Sequence, residues 1–507
     1  MKGVVAAGHP VTAQAGADVL RDGGNAVDAA VACVLMSFVA ESPLTGPGAG
    51  GFMLLHTADG ESHLLDFFVV APGRGLESPE PAELMPIDVR FSENAVQRFN
   101  VGPSSCGVYG TTLGLAEALD RFGTARLADL TAAPARRARE GVEVVPMQAF
   151  LFEVLEPILR STPECAAIYA PRGRLLAEGD TIHLFELGDL LDRIGAEGPS
   201  FLYTGDVGAA VCGWLLARGG LVTCDDLQAY EVVERRPACV RYGGREVLTN
   251  PPPSSGGILI ADALGILERL DEPHDPSVIA EVIASTNRAR DQEFLEGLAT
   301  EGYLERFLAK DALDSVATEV RSRLGNTTHI SVMDADGACA TVTCSNGSCS
   351  GVVVPGTGVH LNNMLGEQDL NPLGYHLYQP GTRIPSMMAP TVVLRDGRPE
   401  VALGSAGSNR IRSAIIQTIL AVVDHGRPAQ EAVSSPRLHV EGADVDAEPG
   451  VDPEALDRLE RSGWRVRRWA ERNLFFGGVQ AVARNQHTGE LTGGGDPRRG
   501  GVATAVE

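Results

Sequence analysis

Gly325-Asn326-Thr327-Thr328-His329-Ile330-Ser331-Val332-Met333-Asp334 is the stretch on which the fold turns. The sequence before it is helical in character and rich in Arg and Glu, up to about Leu324. From Thr328 to Val332 polar and apolar side chains alternate, which predicts an extended strand. Asp334-Ala335-Asp336-Gly337 supplies a turn, and Cys339-Ala340-Thr341-Val342-Thr343-Cys344-Ser345 resumes the alternation. This reads as a hairpin. A second hairpin joins Thr391-Val392-Val393-Leu394 to Val401-Ala402-Leu403 through the turn Arg395-Asp396-Gly397-Arg398. The strand then ends in Gly404-Ser405-Ala406-Gly407-Ser408, and Ile411 to Val423 predicts a buried helix.

Towards the N-terminus the pattern changes. Val11 to Arg21 reads as a helix with Ala13, Ala17 and Leu20 on one face, stopped by Gly23-Gly24. Asn25 caps a second helix, with Asp28 three residues on, that runs towards Val39 and is apolar nearly all round. The glycine run Gly46-Pro47-Gly48-Ala49-Gly50-Gly51 is followed by a strand, Phe52 to Leu55, and by no Lys-Ser/Thr. A phosphate loop needs a helix there, so close backbone packing is the reading. Leu64 to Val70 is a further strand, and residues 73 to 100, rich in Pro and Glu, read as loop. Helical patterns dominate from about 112 to 200. Pro251-Pro252-Pro253-Ser254-Ser255-Gly256-Gly257 is a rigid turn in which Ser254 or Ser255 caps a helix with Ile260, Leu264 and Leu267 on its face. Strand pairs and helix pairs without a βαβ rhythm predict stacked antiparallel sheets covered by helices.

Composition narrows the function. Of 507 residues 44% are apolar and 21% charged, an ordinary globular balance, and 42 basic against 66 acidic residues leave a net charge of −24. Such a chain repels phosphate backbones and anionic lipid, which excludes nucleic-acid and membrane-surface binding as functions. No run approaches the ~18 apolar residues of a membrane span. The segment before Pro10 is too short for a secretory leader, so a cytoplasmic location is expected. Nine scattered cysteines suit reduced thiols. Cys339, Cys344 and Cys349 lie five apart, unlike zinc-binding pairs, and the 11 histidines form no ligand motif, so neither metal nor cofactor is called for.

From spacing alone Thr327 is an ordinary strand threonine. Several segments in order nevertheless resemble one family. They are Asn326 to Asp334, Pro355-Gly356-Thr357-Gly358-Val359-His360-Leu361-Asn362-Asn363 and Gly404-Ser405-Ala406-Gly407-Ser408-Asn409-Arg410-Ile411. Gly8-His9-Pro10, Gly23 to Ala30 and Pro252 to Gly257 fit as well. Together they resemble the γ-glutamyltranspeptidase family of N-terminal-nucleophile hydrolases. The resemblance implies an α+β fold, a four-layer αββα sandwich of two stacked antiparallel sheets covered by helices. It implies a precursor that cuts itself between Asn326 and Thr327 into a large subunit, 1–326, and a small one, 327–507, held as a heterodimer. Thr327 would then carry both the attacking hydroxyl and a free α-amine, whose ordinary pKa of ~7.7–8.0 lets it take the hydroxyl's proton. The implied oxyanion donors are the backbone N–H groups of Gly407 and Ser408, with Ser408 standing where the family usually has a second Gly. Thr343 and Ser345 align near the catalytic amine, and Ser345 could orient Thr327. His329 is expected on the Thr327 face of the strand, in a structural role.

The implied substrate-binding positions depart from the family. The Arg that grips a γ-glutamyl α-carboxylate is replaced by Phe68 after Asp66-Phe67. Of two consecutive serines Ser386 is kept and the second is Met387. After Asn362-Asn363, Met364 replaces an amide or acid and Glu367 stands for the Asp that meets the α-amino group. A substrate-binding Asn falls at Gly347, beside Asn346. Burying a carboxylate without its Arg costs several kcal/mol, roughly. The sequence therefore implies a small-molecule amide substrate whose acyl group is not a plain γ-glutamyl, unless Arg74 or Arg383 compensates. A genuine γ-glutamyl hydrolase or transpeptidase, an acyl–carbon bond hydrolase, and a non-catalytic binding protein are the alternatives.

Overall fold

A computed structural model describes residues 1–77, 79–92, 95–270, 272–298, 300, 302–309 and 327–507. Helical sequence continues to Ala309; the expected helix up to Leu324, and Asn326 itself, lie outside the described residues.

Two antiparallel sheets hold the molecule together. The first has seven strands in the order Val502–Val506, Gly3–Ala7, Thr328–Asp334, Cys339–Ser345, Gly50–His56, Ser62–Phe67 and Val233–Arg235. The second has six, in the order Leu491–Gly495, Gly478–Arg484, Arg398–Ala406, Thr391–Arg395, Arg245–Thr249 and Ala238–Tyr242. Both expected hairpins form. Thr328 faces Cys344 and Val332 faces Ala340 in one, and Thr391 faces Leu403 in the other, with a bulge at Val393/Leu394.

Period-two alternation divides the core. Val5, Met53, Leu55, Ile330, Val332, Ala340 and Val342 pack with the helices Pro10–Arg21, Ala26–Ala40 and Thr111–Phe122. Val4, Ala6, Phe52, Leu54 and Met333, on the opposite face, meet Val392, Leu394, Ala402 and Val482 of the second sheet. That sheet's other face, with Val247, Val393, Val401 and Leu403, packs with the helices Ser255–Leu267, Pro276–Ala289 and Arg410–Val423. All fifteen residues of Ala26–Ala40 are buried, as an all-round apolar helix requires. Its capping box of Asn25 and Asp28 is formed, and Asp28 also accepts from the backbone N–H of Thr124 and Ala125.

The glycine run serves close approach. A Cβ on Gly48 would lie 2.4 Å from the His360 carbonyl oxygen, and one on Gly51 2.3 Å from that of Thr343. Three expectations are corrected. Residues 73 to 100 are not all loop: Met85–Ser92 pairs with Ala95–Val101 in a two-stranded ribbon. Its Pro86 is compatible because such a ribbon has only edges. The strand read as Leu64 to Val70 ends at Phe67. Ser254 occupies the cap position of Ser255–Leu267 but makes no cap bond; its hydroxyl donates instead to the carbonyls of Ser386 at 3.0 Å and Met388 at 2.9 Å. Among the described residues no helix is long and apolar enough to cross a membrane.

Candidate active site

Thr327 immediately precedes the Thr328–Asp334 strand, so its position is set by pairing between Gly3–Ala7 and Cys339–Ser345. Thr328 points towards the helices, where its hydroxyl donates at 2.9 Å to Glu41 Oε2, and Thr12 donates to Oε1 at 2.7 Å. His329 points the other way, into the space between the sheets. Its Nδ1 lies 2.8 Å from Thr343 Oγ1 and its Nε2 3.0 Å from both Ser331 Oγ and Thr341 Oγ1. Ser331 and Thr341 continue the network to the carbonyls of Gln480 and Leu403 in the second sheet. Burial lowers His329 to about 3, so it is a neutral cross-link between sheets. A Cβ on Gly404 would lie 2.2 Å from its ring, which explains that glycine.

Glu41 carries a pH signature that sequence reading missed. It follows the Ala26–Ala40 helix with no motif to mark it. Burial raises it to about 7, with the two threonine hydroxyls pulling the other way. A carboxyl raised on folding stabilises fully below its unfolded pKa, and that contribution is lost as pH rises through 7. Glu41→Gln should therefore flatten the fall in stability between pH 5 and 8, gaining about 2–3 kcal/mol relative to the parent at pH 8 and little at pH 5. Urea unfolding at both pH values measures this; equal shifts at both would refute it.

A cavity of about 40 Å³ opens on the other side of Thr327. Its walls are Thr327, Ser345, Ser386, Ser408, Glu367 and Asp369 with Phe68, Met364, Met387, Met388, Leu370, Ile411 and Gly347. Six separate stretches of sequence build it, at Phe68, Thr327, Ser345–Gly347, Met364–Leu370, Ser386–Met388 and Ser408–Ile411. Phe68 leaves the first sheet stacked on Phe52, centroids 5.2 Å apart. Ser345 ends its strand and accepts the Gly347 N–H at 2.8 Å. Glu367 accepts from Ser348 N–H at 3.0 Å and Oγ at 2.8 Å, and burial raises it to about 7. The Ser386–Met388 segment is pinned by Ser255 N–H on the Ser386 carbonyl at 2.8 Å and by Met388 N–H on Ser386 Oγ at 3.0 Å. Gly256 permits this contact, since a Cβ there would lie 2.1 Å from the Met387 carbonyl oxygen.

The Gly407-Ser408 turn closes the cavity. Gly407 has φ +124° and Ser408 φ +52°, so two successive N–H groups leave the strand before the Arg410–Val423 helix begins. Neither finds an acceptor among the described residues. Ser408 is a rare left-handed serine. Its hydroxyl donates to Asp369 Oδ2. Asp369 is buried, which raises its pKa, while the neighbouring Arg290 opposes that rise. The sequence signal for Asp369 was only its place two residues beyond Glu367.

Other expectations fall differently. Asn346 does not line the cavity: it is buried with its N–H on the Leu44 carbonyl and its Nδ2 3.4 Å from that of Pro43, and Gly347, φ +69°, takes the wall instead. Arg383 is spent on Asp66, on the Phe68 carbonyl and on the Tyr230 hydroxyl, and Arg74 is half-exposed near Asp226. Neither enters the cavity, and among the described residues no Arg, Lys or His lines it. Among the described residues no three His, Cys, Asp or Glu side chains gather as a metal site.

The gamma-glutamyltranspeptidase family model matches residues 12–506. The chain belongs to the gamma-glutamyltranspeptidase family. It is 32% identical to the acylase ACY 1 proenzyme of Pseudomonas sp. (strain V22), over all of this chain and 94% of that one. It is 30% identical to the glutathione hydrolase proenzyme of Escherichia coli (strain K12), covering 98% and 90%. The solved cephalosporin acylase from Bacillus halodurans superposes with a TM-score of 0.82 at 25% identity, covering 100% and 96%. This gamma-glutamyltranspeptidase-family chain is thus an enzyme of the N-terminal-nucleophile type, with mixed helices and sheets. Its relatives include acylases as well as glutathione hydrolases.

Proposed function

We propose that the protein is a self-processing threonine amidohydrolase or acyltransferase whose acyl group is uncharged at the end that enters the cavity. The Thr327 hydroxyl attacks the Asn326 carbonyl, the amide becomes an ester, and water opens it. This leaves Asn326 as a carboxylate and Thr327 with a free amine. Residues 1–326 and 327–507 then remain together as a heterodimer in a four-layer αββα arrangement. In turnover the amine takes the proton of Thr327 Oγ, Oγ attacks the acyl carbonyl, and the amine returns the proton to the leaving group. The Gly407 and Ser408 N–H groups meet the oxyanion, each worth roughly 3 kcal/mol of barrier. Ser345 holds the hydroxyl end of the nucleophile. The cytoplasmic location belongs to this proposal; cell fractionation tests it.

The observation that carries the reading is the lining. Among the described residues it joins a threonine and three serines to Phe68, Met364, Met387 and Met388, with two buried carboxyls and no cation. A γ-glutamyl α-carboxylate would face Glu367 and Asp369 with no cation among the described lining residues, Arg290 lying behind the wall on the Asp369 carbonyl, a cost of several kcal/mol, roughly. Acylases stand among the relatives beside glutathione hydrolases, which supports an acyl group other than γ-glutamyl. Turnover of neutral acyl anilides, phenylacetyl and hexanoyl, should exceed that of γ-glutamyl anilide by at least ~10-fold in kcat/KM. Equal or better turnover of the γ-glutamyl compound would overturn the assignment of the acyl group and leave the nucleophile untouched.

A further inference from the structure

A buried guanidinium lies against the Gly407-Ser408 turn. Arg499 ends the short helical turn Pro497–Arg499, which follows the strand Leu491–Gly495. Its stem packs on Gly478, the strand partner of Ala406, and a Cβ on Gly478 would lie 2.4 Å from Arg499 Cδ. A Cβ on Gly407 would lie 3.5 Å from Arg499 Nη2. Two glycines thus bring this charge to the place where the second sheet gives way to the turn. Arg499 also lines a small chamber, about 50 Å³, together with Thr327 and Ala406.

This cation is unpaired. Arg499 is 8% exposed, and its Nε and Nη2 are sealed from solvent with no hydrogen-bond partner. The neighbouring acid is already taken. Asp496 lies 2.8 Å from Arg437 Nη2 and 3.1 Å from Arg498 Nη1, and Arg498 also holds Glu448. Of Arg437, Arg498 and Arg499, sharing these two carboxylates, Arg499 is the one left over, and Arg410 adds a like charge nearby. In the chamber Glu41 is the one carboxyl among the described residues, and Thr12 and Thr328 hold it. His9 and His329, lowered by burial to about 4 and about 3, are neutral there. Burial lowers Arg499 to about 10, which leaves it charged at neutral pH. An uncompensated buried charge is costly, and the resting fold supplies this one with no anion. The anion that forms beside it exists only during the reaction, at the Gly407 and Ser408 N–H groups.

We propose that Arg499 stabilises that oxyanion from behind the turn, as a fixed charge that touches no reacting atom. Nη2 is sealed against Gly407, so its field crosses protein of low dielectric, where a charge acts more strongly than through water. The cost of leaving the cation unpaired in the resting enzyme is offset in the transition state alone, which is the condition for raising kcat. This inference rests on the acyl-enzyme reading and is independent of which acyl group the enzyme takes.

Arg499→Met keeps an unbranched stem and removes the charge, and Arg499→Lys keeps the charge. Turnover of phenylacetyl anilide is measured per cut heterodimer, with intact mass giving the cut fraction, beside thermal unfolding. Arg499→Met should lower kcat about 10²-fold with KM within ~2-fold of the parent, and Arg499→Lys should stay within ~10-fold in kcat. The thermal midpoint of Arg499→Met should stay at or above the parent's, because an uncompensated buried cation is gone. A merely structural arginine would instead lower the midpoint and leave kcat per cut enzyme unchanged. If Arg499→Met folds but stays whole, the rate of self-cleavage is read in place of kcat, with lysine again the control. Parent-like rates in Arg499→Met, a loss as deep in Arg499→Lys, or a midpoint that falls with the charge would each overturn the proposal. Turnover that survives Thr327→Ala would instead remove the acyl-enzyme reading, and this inference with it.

Discussion

Thr327→Ala is expected to persist as a single chain of 53.4 kDa under denaturing conditions, where the parent separates into two pieces, the smaller beginning at Thr327. It should also lose acyl turnover by at least ~10⁴-fold, the scale on which removing a nucleophile acts. Alanine keeps the strand: position 327 precedes the Thr328–Asp334 ladder and its side chain faces cavities on two sides. Stability should therefore change little, and a matched thermal transition makes the lost chemistry specific. Thr327→Ser should cleave and turn over, since serine offers the same hydroxyl and, once cut, the same α-amine. Intact mass spectrometry on all three proteins decides. A parent that stays whole, or a Thr327→Ala chain that cuts at the same bond, would sink the self-processing reading.

The nucleophile's surroundings were largely legible because they are local. The hairpin of Thr328–Asp334 with Cys339–Ser345 is written in alternation and in one acidic turn, and its register follows from the turn. What alternation could not show is that Gly3–Ala7 separates this hairpin from the C-terminal strand Val502–Val506. Those pairings span nearly the whole chain and leave no short-range mark. The ribbon Met85–Ser92 with Ala95–Val101 was hidden for the opposite reason. Exposed Met85, Pro86, Asp88 and Arg98 are mixed with buried Val89, Phe99, Asn100 and Val101 without a steady alternation, and the cross-strand Asp88–Arg98 pair says nothing until the register is known.

The cavity repeats this division. Met364, Glu367, Ser386, Met387 and Phe68 were each singled out by position in a motif, and they share one wall-lined space. Asn346 went astray because period two stops at Ser345. Gly347 turns with φ +69°, a residue earlier than an extended chain would, and exchanges which of the two meets the cavity. Asp369 was missed because its partner is Ser408, a residue noted for its backbone alone.

That pair supports the second large effect. Ser408 sits at φ +52°, where an L residue pays on the order of 1–2 kcal/mol and glycine nothing. The hydrogen bond to Asp369 holds it there, with the Gly407 and Ser408 N–H groups in fixed directions. Ser408→Ala removes the anchor and keeps the strain. The turn should relax, and kcat should fall about 10²-fold with KM little changed, the cost of losing one oxyanion donor. Ser408→Gly removes anchor and strain together, so its kcat should stay within ~5-fold of the parent. In the glycine background Asp369→Ala should add little, whereas in the parent it should resemble Ser408→Ala. A merely structural role for Asp369 would lower stability alike in both backgrounds and leave kcat insensitive to the choice at 408. Alanine and glycine variants with equal kcat would therefore remove Asp369 from the oxyanion turn, while a raised KM in every Asp369 variant would assign that carboxyl to the substrate directly.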